Sequence, residues 1–218
     1  QEERLVEVIV TSRNSPNTSL RIFHSIQSYG LDITRAALTG GAEIAPYLKA
    51  FQTDLFLSDN REDVQQAVDS GIAAGVILPG GPRQESSSGV RQIRIAFDGD
   101  AVLFGAGSER IFRQKGLEAF EENERAKADI PLQRGPFAPF LETVAHIQST
   151  FAERDPAPVR TALVTSRSVP AHERAIKTLR SWGVHVDEAY FLGGVSKKEV
   201  LSAFGAQIFF DDQYVHAD

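Results

Sequence analysis

Short apolar runs alternate with amphipathic stretches along most of the chain. LVEVIVT (5–11) predicts a strand, and SLRIFHSIQSYG (19–30) a helix that stops at Gly30. ITRAALTGG predicts a short strand and turn, and TDLFLSDN (53–60) a strand ending in polar residues. REDVQQAVDSGIAAG reads as helical, and VILP as a short strand. GGPRQESSSG (80–89) has the composition of a loop, which predicts one unit over 1–88 and a second over 89–218. The second unit opens on the strand RQIRIAFD (91–98) and continues into a long insert at about 104–158. The insert holds the charged helical stretch SERIFRQKGLEAFEENERAKAD, the segment GPFAPF and the helix LETVAHIQSTFAE. RTALVT, HERAIKTLRSWG, HVDEAYFL, KKEVLSAFG and QIFFDD then alternate strand, helix, strand, helix, strand. Such alternation predicts an α/β fold with a mostly parallel, doubly wound sheet.

The two halves resemble each other. VIVTSRNSP matches ALVTSRSVP, SYG matches SWG, LTGG matches FLGG, and LFLSDN matches FFDDQ. Thr11 then aligns with Thr165, Gly30 with Gly183, Gly41 with Gly194 and Asp59 with Asp212, in one order with a single one-residue slip. Landmarks recurring in register predict an internal duplication. The first copy has Ile44 where the second has Lys197, Ser58 where the second has Asp211, and no aspartate pair before it. The N-terminal unit therefore reads as a degenerate repeat, a scaffold or regulatory surface. Tyr29 and Trp182 hold matching places in the repeat, which predicts core packing for both.

Composition narrows the functional classes. At 218 residues with 42% hydrophobic content, the chain can bury a real core. No apolar run approaches the length of a membrane span. A net charge of −6 argues against general nucleic-acid binding, so an anionic ligand needs local cations or a metal. The absence of cysteine excludes disulfides, thiolate catalysis and cysteine zinc sites, and agrees with a cytoplasmic location. There is also no methionine, so a processed, truncated or engineered chain is expected. The five histidines show no metal-ligand spacing.

Four polar signals fall at predicted strand ends or helix starts of the second half. They are Asp98 with Asp100, Thr165 with Ser166, Lys197 with Lys198, and Asp211 with Asp212. In a parallel sheet these tips converge on one edge, where ligands of doubly wound folds bind. Carboxylates, hydroxyls and an ammonium suit phosphoryl transfer with a hard cation such as Mg²⁺. Asp98 can attack phosphorus, Asp100 can move the proton, Thr165 can bond a phosphoryl oxygen, and a lysine can neutralise the growing charge. Arg167, just beyond Thr165, is placed to reach a phosphate or sugar, or to serve structure alone. Phe137 and Phe140 favour packing over a base pocket, and EAFEENERAK reads as a solvated helix face.

IAFDGDAV, LVTS, a lysine at a helix start and FFDD resemble, in order and context, the haloacid-dehalogenase-like phosphohydrolases. AFDGDAVLF with SERI, GPFAPFLE, the TSRS to SWG stretch, IFFDDQ and YLKAFQTDLFLS more narrowly resemble the cytosolic 5′-nucleotidase type I family and its bacterial relatives. This resemblance implies a Rossmannoid sheet with a helical cap. It also implies a Mg²⁺-dependent hydrolysis of nucleoside monophosphates, with AMP the first candidate. Asp98 would be the nucleophile and Asp100 the acid/base, with the Asp100 carbonyl on the metal. Thr165 would hold the phosphate. Lys197 fits the lysine position best, with Lys198 the alternative. Asp212 is favoured on the metal with Asp211 behind it. Family members carry further N- and C-terminal segments, and a homo-oligomer is within the states the resemblance allows. A sugar-phosphate phosphatase and a catalytically silent nucleotide-binding protein are the competing readings.

Overall fold

The computed structural model describes residues 5–77, 92–153, 156–169 and 171–212. Two compact units divide the chain, Gln1–Pro79 and Gly80–Asp218. The loop expected at 80–89, and with it the boundary at 88/89, lies outside the described residues.

The first unit runs β1 (Ile9–Ser12), α1 (Leu20–Ser28), β2 (Arg35–Leu38), α2 (Ala45–Ala50), β3 (Leu55–Ser58), α3 (Arg61–Asp69) and β4 (Ala73–Val76). β1 pairs with β2 and β3 with β4, both parallel. Ile44, Leu48, Phe56, Val64, Ala67, Ile72 and Ala74 form its buried cluster. Asn60 caps α3, its side chain accepting from the amides of Glu62 and Asp63. The helix expected through Gly75 ends earlier, because Gly71 turns at φ 82° and Ala73–Val76 joins β3 as a strand. The strand expected over 76–79 thus sits three residues sooner, and 78 and 79 lie outside the described residues. Tyr29 corrects a second expectation: it is 78% exposed and does not pack in the core.

The second unit holds β5 (Ile93–Phe97), α4 (Gly107–Ala126), α5 (Ala138–Thr150), β6 (Val159–Thr165), α6 (His172–Ser181), β7 (Glu188–Phe191), α7 (Lys197–Phe204) and β8 (Ile208–Phe210). Its sheet is parallel throughout, in the order β7-β6-β5-β8. The chain winds outward from β5 through β6 to β7, then returns to place β8 on the other side of β5. The carboxyl ends of β5 and β8 therefore flank a topological switch point, where such sheets form a crevice.

The insert divides between two roles. α5 packs on the sheet: Phe140 meets Phe97 and Phe210 at ring distances of 6.1 and 5.9 Å, and Leu141 and Val144 are buried. It is a crossover helix of the core, so the cap expected over 104–158 does not extend through it. α4 is not one straight helix. Gly116, at φ 84° and ψ −177°, breaks it into two arms. The hydroxyl of Ser108 reaches Glu124 at 2.7 Å, sixteen residues on. A straight helix would separate them by about 24 Å, so the arms fold back on each other. Phe112 and Phe120 meet across the fold at 6.2 Å.

The copies share one local geometry. Thr11 pairs with Ala37 as Thr165 pairs with Phe191. Each second strand runs into two successive left-handed glycines, Gly40 and Gly41 in one copy and Gly193 and Gly194 in the other.

Candidate active site

Asp98 follows the last residue of β5, and its amide donates to the Phe210 carbonyl of β8 at 2.8 Å. That bond fixes the aspartate at the switch point. Its carboxylate is buried and accepts from the Gly99 amide at 2.7 Å. Lys197, the first residue of α7, is 2% exposed, with Nζ 2.9 Å from Asp98 Oδ2 and 3.0 Å from Asp211 Oδ2. Burial pushes the Asp98 carboxyl up to about 6; the Lys197 ammonium opposes the rise and the Asp211 carboxylate adds to it. Asp212 is also raised, by burial first, then by the charges of Glu109 and Asp211.

Carboxylate oxygens of Asp98, Asp211 and Asp212 lie within 4.8 Å of one another. Three crowded acids, two of them raised, are a donor set that a hard cation such as Mg²⁺ fits, because it relieves their mutual repulsion. Lys198 is exposed, so Lys197 is the lysine that the structure brings between the two acids.

Thr165 ends β6, is 1% exposed, and accepts from the Arg167 amide at 3.3 Å. A Cβ on Gly99 would stand 2.9 Å from Thr165 Oγ1 and 3.1 Å from its Cβ, so a side chain there would displace the threonine. Ser166 is exposed in the bend beyond Thr165. Ala101 takes a left-handed φ of 62° immediately after Asp100, strain of the kind that collects at functional sites. Gly135 supports the turn from outside: its amide donates to Leu103 at 2.8 Å, and a Cβ there would come within 2.2 Å of the Val102 carbonyl.

A model of the 5′-nucleotidase family matches residues 1–218. The chain belongs to the 5′-nucleotidase family. It is 38% identical over 221 residues to human cytosolic 5′-nucleotidase 1B, a match that covers all of this chain and 36% of that protein. The chain thus spans about a third of the length of this curated relative. No solved structure matches it.

Within this 5′-nucleotidase fold, Asp100 and Arg167 form a pair apart from the three acids. Arg167 donates from Nε and Nη2 to the two carboxylate oxygens of Asp100 at 2.9 and 2.7 Å. Its Nη1 donates to Glu124 at 2.5 Å. Glu124 also accepts from Arg174 at 2.9 Å and Ser108 at 2.7 Å. The expectation of a solvated face for EAFEENERAK fails at this residue, which is 1% exposed. Glu124 falls four residues after buried Phe120, on the same helix face, and that spacing was its one signal in the sequence. Phe137 is buried against Phe210 at 4.6 Å, in agreement with packing.

Proposed function

We propose that this chain is a Mg²⁺-dependent 5′-nucleotidase that hydrolyses nucleoside 5′-monophosphates to nucleoside and phosphate through a phosphoaspartate. The observation that carries this reading is the buried Lys197 ammonium bridging Asp98 and Asp211 at the switch point, with Asp212 beside them and Asp100 two residues on. Asp98 Oδ attacks phosphorus in line, and the P–O bond to the 5′ oxygen breaks. Asp100 gives the leaving oxygen its proton, then takes one from the water that hydrolyses the acyl phosphate. Thr165 Oγ1 bonds a phosphoryl oxygen, joined by Ser166, and Lys197 stabilises equatorial charge. Asp98, the Asp100 carbonyl, Asp212 and Asp211 would hold Mg²⁺, which when bound neutralises phosphate charge and lets a carboxylate approach. Arg167 serves this site through Asp100 in preference to touching substrate. AMP is the first candidate substrate, from the family, and a cytoplasmic location accords with the name of the human relative.

The test is phosphate release from nucleoside and sugar monophosphates with Mg²⁺, for wild type and Asp98→Asn. Nucleotide turnover that needs Mg²⁺ and falls at least about a thousandfold in the variant supports the reading. Preferred turnover of sugar phosphates, or nucleotide binding without release, refutes it.

A further inference from the structure

We propose that Glu124 is a positioning residue for the reaction: it fixes the plane of Arg167, and Arg167 aims the carboxylate of Asp100. The proposal rests on the nucleotidase reading.

The geometry is a relay that is buried at one end and open at the other. The Glu124 side chain is fully buried and that of Arg167 is 1% exposed, whereas that of Asp100 is 19% exposed. A guanidinium is planar, so two contacts on different edges set the direction of its remaining N–H groups. Glu124 takes the Nη1 corner of Arg167, and Asp100 takes the Nε and Nη2 edge. The guanidinium carbon also lies 5.6 Å from the ring centre of Phe104 and 5.4 Å from that of Phe120, so its faces are held as well. Each Asp100 oxygen retains a second lone pair, the place of the proton that Asp100 gives to the leaving oxygen and takes back from the attacking water.

Glu124 is itself fixed. Ser108, Asn123 and Arg174 donate to its Oε1 at 2.7, 3.1 and 2.9 Å. Arg174 in turn donates from Nε to the Ile130 carbonyl at 2.8 Å. A purely structural role is better served by apolar packing, because burying a charged chain is costly. The relay instead ends at a group two residues from Asp98, whose rotamer matters to the chemistry.

The experiment compares Glu124→Gln and Glu124→Asp with wild type, using a nucleoside monophosphate and p-nitrophenyl phosphate at saturating Mg²⁺. Alkoxide departure needs the proton that Asp100 delivers, and nitrophenolate departure does not. Glu124→Gln is expected to lower kcat for the nucleotide by about 10- to 100-fold with KM little changed. The pre-steady-state burst of nitrophenolate stays within about threefold of wild type. Glu124→Asp keeps the charge, recovers part of the nucleotide rate, and carries the test if the glutamine variant does not fold. Equal losses on both substrates, a change in KM alone, or unchanged turnover overturns the proposal. A wild type inert towards both substrates refutes the nucleotidase reading and the proposal with it, a result that no Glu124 variant mimics.

Discussion

Lys197 and Glu124 both carry charge against the cost of burial, and each yields a measurable consequence. Lys197 sits between Asp98 and Asp211 at 2.9 and 3.0 Å with 2% exposure. Lys197→Met leaves two buried carboxylates facing each other, which is expected to cost about 3–5 kcal/mol in urea unfolding at pH 7. Adding Asp98→Asn to that variant removes one of the charges, so the double variant should be more stable than Lys197→Met alone. A strictly additive cycle would mean that the two side chains are not coupled. Glu124 gives the pH dependence. Burial pushes its carboxyl up, but Arg167, Ser108 and Arg174 outweigh burial and hold it below its usual 4.5. The folded chain therefore binds fewer protons there than the unfolded chain, so the stability it adds is complete above 4.5 and is lost as pH falls through the folded value. The stability gap between wild type and Glu124→Gln should be flat from about pH 6 to 8 and shrink below about pH 4.5. A gap that widens in acid contradicts this sign. Asp98, Thr165 and the terminal acids were legible because each ends an apolar strand run, where polarity is conspicuous. Glu124 was not, since a glutamate in a charged helix looks solvated until the chain is folded back around it.

That fold-back belongs to one helix break. RQKGLEAF reads as a continuous helical pattern, and an isolated glycine within one is ordinarily tolerated. Here Gly116 adopts φ 84° and ψ −177°, a conformation essentially confined to glycine, and the second arm of α4 reverses to bring Glu124 to Ser108. A Cβ at Gly116 would meet nothing within 4 Å, so the whole cost of Gly116→Ala is backbone strain, about 1–3 kcal/mol. Gly107 also has open space around it but no left-handed φ, so Gly107→Ala is expected to be neutral or slightly stabilising. Chemical denaturation of the two variants side by side separates strain from composition, and similar losses would refute the reversal. The regular elements were legible for a complementary reason. Strands buried on both faces are uninterrupted apolar runs, and β5, β6 and β8 were placed to within one or two residues. The segment after α3 was misplaced because Gly71, Ile72 and two alanines satisfy helical and strand patterns alike, and only pairing with β3 decides between them.

At the scale of the whole chain, two units share a strand register and a double-glycine turn but differ in the helix start beyond that turn. The second unit places Lys197 at the start of α7, buried between Asp98 and Asp211. The first has Ile44 at the cap of α2, 4% exposed and packed with Leu48 and Phe56 in an apolar cluster. Arg13, which matches Arg167, pairs instead with the buried Asp63 of α3. Apolar packing has thus taken the place that a buried ammonium holds in the other copy, and it needs no carboxylates to offset it. The expectation for the first unit is therefore a scaffold or regulatory surface rather than a second hydrolytic centre. The double variant Thr11→Val, Asp59→Asn removes the polar groups that match Thr165 and Asp212 and leaves the apolar cluster intact. Its turnover and KM for nucleoside monophosphates are expected to stay within about twofold of wild type, as for substitutions away from a site. Thr165→Val, the matching change in the second unit, should lower kcat/KM by about 10- to 1000-fold. Comparable losses from both variants would show two working sites, and would mean that a buried isoleucine can stand where the chemistry demands a lysine.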